Sequence, residues 1–200
     1  MKVAASLPAW CAAASFAIAL LLAGAGLPDY SHRVHPVALR GASGLPWALA
    51  FNLSAFVLPG ALLAWTGQWL RSAIGDAGWA ARIGIVLAQL SALAFAAQGL
   101  LPLQADDLDS QASRLHVLAW MLWWIAFVPG ALLLAVGARR RRGFALACLA
   151  AGLLLPLVAV LAPVGAWVGL AQRCAYALWF GWWLICASAS ARGWSTTARR

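Results

Sequence analysis

Six apolar runs of about 20 residues, joined by segments that gather most of the charged side chains, constrain this chain more than any other feature. About 20 residues is what an α-helix needs to cross roughly 30 Å of hydrocarbon at about 1.5 Å per residue. A helix in a water-soluble fold is apolar along one stripe, whereas these runs are apolar all round. The composition agrees, since 64% of the 200 residues are apolar and 10% charged, against about 45–50% and about 25% in soluble domains. The expected fold is an all-α membrane protein, a bundle of six transmembrane helices forming one domain over residues 1–200.

The runs place spans at about 7–27, 47–70, 83–103, 115–138, 143–161 and 167–189. Lys2 ahead of the first run and Ala23-Gly24-Ala25 near its end have the form of a cleavable signal peptide. The run is long for one, however, and its removal would leave an odd number of spans, so an uncleaved first span is expected. The first loop, 28–46, is broken by Pro28, Pro36, Gly41, Gly44 and Pro46. An acidic loop carries Asp106, Asp107 and Asp109, Arg139 to Arg142 form a basic turn, and 162–166 make a tight Pro-Gly turn.

The net charge of +9 would suggest nucleic acid in a soluble chain. Here the cations sit between apolar runs, where they set orientation and meet anionic headgroups, so nucleic acid is not an expected partner and membrane lipid is. Lys2, Arg71, Arg82, Arg139 to Arg142, Arg192, Arg199 and Arg200 fall on one side of six spans, against Arg33, Arg40, Arg114 and Arg173 on the other. The richer side is cytoplasmic by the positive-inside rule. Both termini are then cytoplasmic in a bacterial inner membrane, and the first and acidic loops face outward. Trp47 and Trp167 at outer ends, with Trp69, Trp79 and Trp194 at inner ends, suit interfacial belts. Cys11, Cys148, Cys174 and Cys186 lie inside apolar runs without ligand spacing and read as small core residues.

One repeat stands out. Ala55-Phe-Val-Leu-Pro-Gly-Ala-Leu-Leu echoes Ala126-Phe-Val-Pro-Gly-Ala-Leu-Leu, pairing the second span with the fourth. It reads either as a duplicated helical hairpin in parallel sense or as chance similarity in Ala/Leu-rich sequence. Pro59 and Pro129 are expected to kink both helices.

Polar residues inside the spans mark the candidate site. Asn52 lies five residues past Trp47, Gln98 five before Leu103, and Arg173 six past Trp167. Helix rise therefore puts all three roughly 7–9 Å beneath the outer boundary. His116 starts the fourth span just above, with Asp109, Arg114, His32 and His35 overhead. An outward-facing polar pocket follows. Below it, His116, Trp120, Trp123 and Phe127 share one face of the fourth span, and Arg173, Tyr176, Phe180 and Trp183 one face of the sixth. An amphiphile with its headgroup at His116 and Arg173 and its chain along the rings fits that profile. The alternative is that the rings are helix packing or face lipid, and that Arg173 snorkels to the outer headgroups.

Catalytic motifs are weak. His116 is the one candidate acid/base, and Asp109, Ser110 or Ser113 are candidate caps for the fourth span. His32-x-x-His35 on a Pro-containing loop lacks the helical spacing of a zinc pair, and no Gly-rich phosphate loop or HExxH is present. No metal or other cofactor is expected.

Tyr30-Ser31, Phe51-Asn52, Gly99-Leu-Leu-Pro102 before the acidic loop, Leu115-His116, and Gly169-Leu-Ala-Gln-Arg173 opening the last span occur in this order along nearly the whole chain. In these motifs the chain resembles domain-of-unknown-function family 998, whose members are six-helix bacterial and archaeal membrane proteins. The resemblance implies the same span count and no established activity. The family pattern carries Glu where Gln172 stands, so this chain lacks an acidic partner beside Arg173, which tells against a proton relay there. The leading functional expectation is a binding or accessory subunit for a lipid-like ligand. An enzyme acting on a lipid or isoprenoid-like substrate is the alternative. A small transporter is the weaker one, because the repeat is parallel rather than inverted.

Overall fold

The computed structural model describes residues 6–25, 27, 29–74, 77–161 and 167–191, and the 162–166 turn and the basic tail lie outside them. Six helices follow one another: α1 Ser6–Leu21, α2 Ala48–Ala73, α3 Trp79–Leu100, α4 Gln111–Gly137, α5 Arg142–Leu161 and α6 Val168–Ala191. No strand occurs among the described residues. The helices α2 to α5 are each long and apolar enough to cross a membrane. The first is not: α1 stops at Leu21, short of the expected 27, and its 16 residues give a rise of about 24 Å. Gly24, Gly26 and Pro28 follow in sequence, and these residue types break helices.

Each helix packs against its neighbours in sequence, and α6 returns to α1 and α2, closing the ring. Aromatic rings fill the ring's interior. Phe16 of α1 stacks on Phe180 at 4.8 Å, Phe95 of α3 lies 4.7 Å from Trp179, and Trp123 of α4 lies 4.8 Å from Tyr176. Because α1 supplies Phe16 to this cluster, it is an integral wall of the bundle. The remaining interior is largely alanine, while Leu, Ile and Val dominate the exposed faces of α2 to α5. This inverts the arrangement expected where water drives burial, and it suits helices that associate through close small-residue packing.

Close approach is densest along α3. A Cβ on Gly84 would sit 2.8 Å from the Gly130 carbonyl oxygen, and one on Gly130 would sit 3.0 Å from that of Gly84, so α3 and α4 cross nearly backbone to backbone. Gly60 of α2 meets Ala92 and Ala96 of α3 in the same way. The repeated Pro-Gly pair thus seats α2 and α4 against successive levels of α3. The two prolines act differently on their helices. A π turn over Leu53–Val57 precedes Pro59, a register that lets a carbonyl deprived of its usual partner reach a later amide. In contrast, α4 runs through Pro129 as an α-helix. A second π turn, Leu157–Leu161, follows Pro156.

The loops sort to two ends. The Ser43 amide donates to the Leu103 carbonyl at 2.9 Å, joining the first loop to the start of the acidic loop. At the other end Arg71 lines one cleft with Arg82, and Trp79 lines another with Arg139 and Arg140. Trp47, Trp69, Trp79 and Trp167 are all exposed near helix ends. Cysteines divide: Cys148 and Cys186 are buried, whereas Cys11 and Cys174 are on the outer surface rather than in the core. A thiol is apolar enough that an exposed face of a lipid-suited helix accepts it.

The α3–α4 crossing yields a test. Gly84→Val should lower stability by about 1–3 kcal/mol, the usual range for overpacking. Gly181, whose Cβ would meet nothing within 4 Å, should tolerate alanine with no loss. Thermal unfolding in detergent reads both variants.

Candidate functional site

The polar residues expected at one depth do converge, through a network of hydrogen bonds within the chain. Its first node is the end of α3. Pro102 excludes helical geometry from the residue before it, and Leu101 leaves the helix at φ −117° and ψ 68°, so the last carbonyls of α3 need other donors. His116 supplies one: its Nδ1 lies 2.8 Å from the Leu101 oxygen and 3.1 Å from the Gln98 oxygen. Carbonyl oxygens only accept, so Nδ1 carries the hydrogen.

His116 is held there by the acidic loop. The Ser110 side chain accepts from the Ser113 amide at 3.2 Å, capping α4. The Ser113 hydroxyl accepts from the Gln104 amide at 3.0 Å and reaches the Asp107 carbonyl at 2.9 Å. Ser110 therefore fills the cap role for which Asp109 and Ser113 were also candidates. Asp109 and Arg114 are exposed outside the network, and Trp120 is half-buried beside Trp124.

The second node is α6. Tyr176 donates to Gln98 Oε1 at 3.0 Å, tying α6 to α3 beneath His116. One turn above Tyr176, Arg173 donates through Nη1 to the carbonyls of His35 at 2.9 Å and Gly169 at 2.8 Å, and through Nη2 to the Tyr30 hydroxyl at 2.6 Å. Burial raises the Tyr30 pKa, outweighing the opposing pull of Arg173, so this oxygen is a neutral acceptor. Burial and the same Arg173 charge lower the pKa of His32. Arg173 is buried and does not snorkel.

The third node is the first loop itself. The Leu170 amide donates to the Arg33 carbonyl at 3.0 Å, and the Val37 amide to Gln172 Oε1 at 2.7 Å. Any Cβ on Gly169 would collide with the His35 carbonyl oxygen at 2.5 Å, so glycine lets the loop lie directly on the start of α6. Asn52 donates through Nδ2 to the Gly41 carbonyl at 2.8 Å, and a Cβ on Gly99 would sit 2.7 Å from the Asn52 carbonyl oxygen. The motifs Tyr30-Ser31, Phe51-Asn52, Gly99 to Pro102, Leu115-His116 and Gly169 to Arg173 are thus one spatial unit. Its effect is to close the end of the bundle where the first and acidic loops meet.

Where an open pocket was expected at His116 and Arg173, the first loop lies over Arg173 and takes its hydrogen bonds. Trp123 and Tyr176, expected along a chain-binding wall, are packed ring against ring in the core with no exposed surface. Among the described residues no group of three or more His, Cys, Asp or Glu is placed to hold a metal.

An open site lies to one side. Between the end of α1, the first loop and the start of α2 is a groove of about 470 Å³, lined mainly by apolar groups including Leu22, Leu27, Trp47 and Ala50, with Arg40 and Ser54 as its polar side chains. Arg40 is 5% exposed. It donates to the Pro46 carbonyl at 2.6 Å and lies 6.0 Å from the Phe51 ring centre, while its Nε has no partner. Trp47, immediately before α2, is in the left-handed conformation at φ 61°, a strained choice for a bulky residue. Sequence reasoning missed Arg40 and Trp47 as site residues. An arginine in a polar loop gives no sign of burial, and a Trp at a span end reads as an ordinary belt residue.

No family model, curated protein or solved structure matches the chain.

Removing the α6 anchor should free the loop. Arg173→Met should cost about 3 kcal/mol, since hydrogen bonds to charged groups are worth about 1.5–3 kcal/mol each, and it should expose Arg33 to faster tryptic cleavage. Tyr30→Phe should produce a smaller shift of the same sign. Unchanged cleavage in both would show that the loop is held by other contacts.

Proposed function

We propose that this chain is a multi-pass protein of the bacterial inner membrane that binds a lipid-like amphiphile at its outer end, as a binding or accessory subunit. The observation that carries the reading is the groove between α1, the first loop and α2, where an apolar wall continues from the exposed Leu22 and Trp47 to a buried arginine. That profile suits a molecule with a hydrocarbon part and a polar head. It lies beside, rather than within, the His116 and Arg173 cluster.

Six spans with both termini cytoplasmic are part of the proposal. In its support, the first and acidic loops meet at one end of the bundle, while Arg71, Arg82, Arg139 and Arg140 occupy the other, the segregation that the positive-inside rule requires. Kinship with domain-of-unknown-function family 998 is proposed on the same motifs, whose residues serve one purpose in closing the bundle. Nothing favours the enzyme reading over binding, because the Nδ1 of His116 is engaged by two backbone carbonyls.

Purification in mild detergent followed by mass spectrometry should recover a stoichiometric amphiphile; its absence at all detergent concentrations would refute ligand binding. For topology, a reporter active only in the periplasm should stay silent when fused after Arg200 and should become active when placed within residues 104–110.

A further inference from the structure

Of the two arginines buried among the described residues, Arg40 and Arg173, each with an unpartnered Nε, Arg40 has the fewer acceptors. Arg173, at the same end, meets three oxygen acceptors. Arg40 is buried to a greater degree, and among the described residues its hydrogen bond is to the Pro46 carbonyl, made through Nη1. No carboxylate among the described residues pairs with it, and Asp106, Asp107 and Asp109 are exposed on another loop. A guanidinium has five N–H donors arranged to grip a phosphate or carboxylate along one edge. Burying such a charge is costly unless an anion and hydrogen bonds compensate it.

We propose that Arg40 is the headgroup anchor of a site for an anionic lipid of the outer leaflet. The ligand's single phosphate or carboxylate lies against the guanidinium, and its chain runs down the groove past Ala50 and Ser54 between α1 and α2. The inference rests on the proposed amphiphile binding and adds the sign of the headgroup and the residue that selects it.

Three observations converge on this assignment. The groove holds Arg40 at its polar end and is otherwise almost wholly apolar, which fits a lipid better than a soluble anion. Trp47 at its mouth is 78% exposed, and indoles favour the headgroup level of a membrane. The left-handed backbone of Trp47 is held in place immediately after Pro46, whose carbonyl Arg40 binds. Sustained strain of this kind concentrates at ligand-binding positions.

The test uses the full chain in detergent, with native mass spectrometry as the readout and three probes: dioleoyl phosphatidylglycerol, dioleoylglycerol, which has the same chains and no anion, and inorganic phosphate. Wild type should bind the anionic lipid roughly tenfold to a hundredfold more tightly than the uncharged one, the range expected for a charge-assisted hydrogen bond. Arg40→Gln should lower phosphatidylglycerol binding to the level of dioleoylglycerol. Because Arg40→Gln also weakens the Pro46 contact and can impair folding, Ala50→Trp provides a second variant: it keeps Arg40, fills the groove, and should reduce binding of both lipids. A preference that survives Arg40→Gln, or undiminished binding of both lipids by Ala50→Trp, would overturn the assignment and place the lipid on another surface. Equal binding of both lipids by wild type would also overturn it, while leaving amphiphile binding standing. Failure of wild type to bind any lipid would defeat both. Tight binding of inorganic phosphate alone would show that a soluble anion, not a lipid, is the ligand.

Discussion

An arginine inside a helical bundle, with no carboxylate beside it, must take its oxygen acceptors from wherever the chain can bring backbone. Arg173 takes them from Gly169 in its own helix and from His35 and Tyr30 in the first loop. The rest of that end of the bundle depends on that choice. Once the loop is drawn onto α6, its amides at Val37 and Ser43 and its carbonyls at Arg33 and Gly41 find partners on α6, on the acidic loop and on α2. Buried backbone groups require such partners. The first loop is therefore a folded lid over the aromatic core, and its lateral edge, rather than its centre, is where a groove remains.

Beneath that lid the packing follows a different rule. Apolar surface against apolar lipid gives no net burial gain, so helices built for such surroundings associate through contact and fit. Alanine and glycine along α3 let α2 and α4 approach closely, and the large aromatics occupy the volume where α1, α3, α4 and α6 face one another. Among the described residues, polar cross-links between helices include Tyr176 to Gln98 and His116 to the end of α3 near the first loop, with Gln89 to the Ala64 carbonyl and Trp182 to Cys148 further along the bundle. The first two fix the relative rotation of three helices that Ala/Leu-rich sequence alone leaves weakly specified.

Much of this was legible in the sequence, for identifiable reasons. The length of the apolar runs specified the helices, because an all-round apolar segment of that length has few alternatives. Helix rise placed Asn52, Gln98 and Arg173 at a shared level, and each is buried near the end that carries the first loop. Rotation about each helix axis was not legible. The stripe from His116 to Phe127 reads equally as a wall for an amphiphile's chain and as helix packing, and Trp123 and Phe127 are fully buried, the latter 5.0 Å from Trp182. Loop conformation was least legible. Nothing in Val37-Ala-Leu-Arg-Gly41 announces a buried 3₁₀ turn, because its burial comes from contacts more than 100 residues away, such as Val37 with Gln172. The early end of α1 was signalled by Gly24 and Gly26, but the apolar character of residues 22–27 masked it.

The central claim is that the first loop is a folded closure held by α6 and the acidic loop. Amide hydrogen exchange across residues 29–46, in the full chain in detergent or a lipid disc, tests it most directly. Val37 and Ser43, whose amides donate to Gln172 and Leu103, should exchange far more slowly than Gly44, whose amide lies on an exposed turn. Uniformly fast exchange through the loop, at the rate of an unstructured segment, would contradict the account.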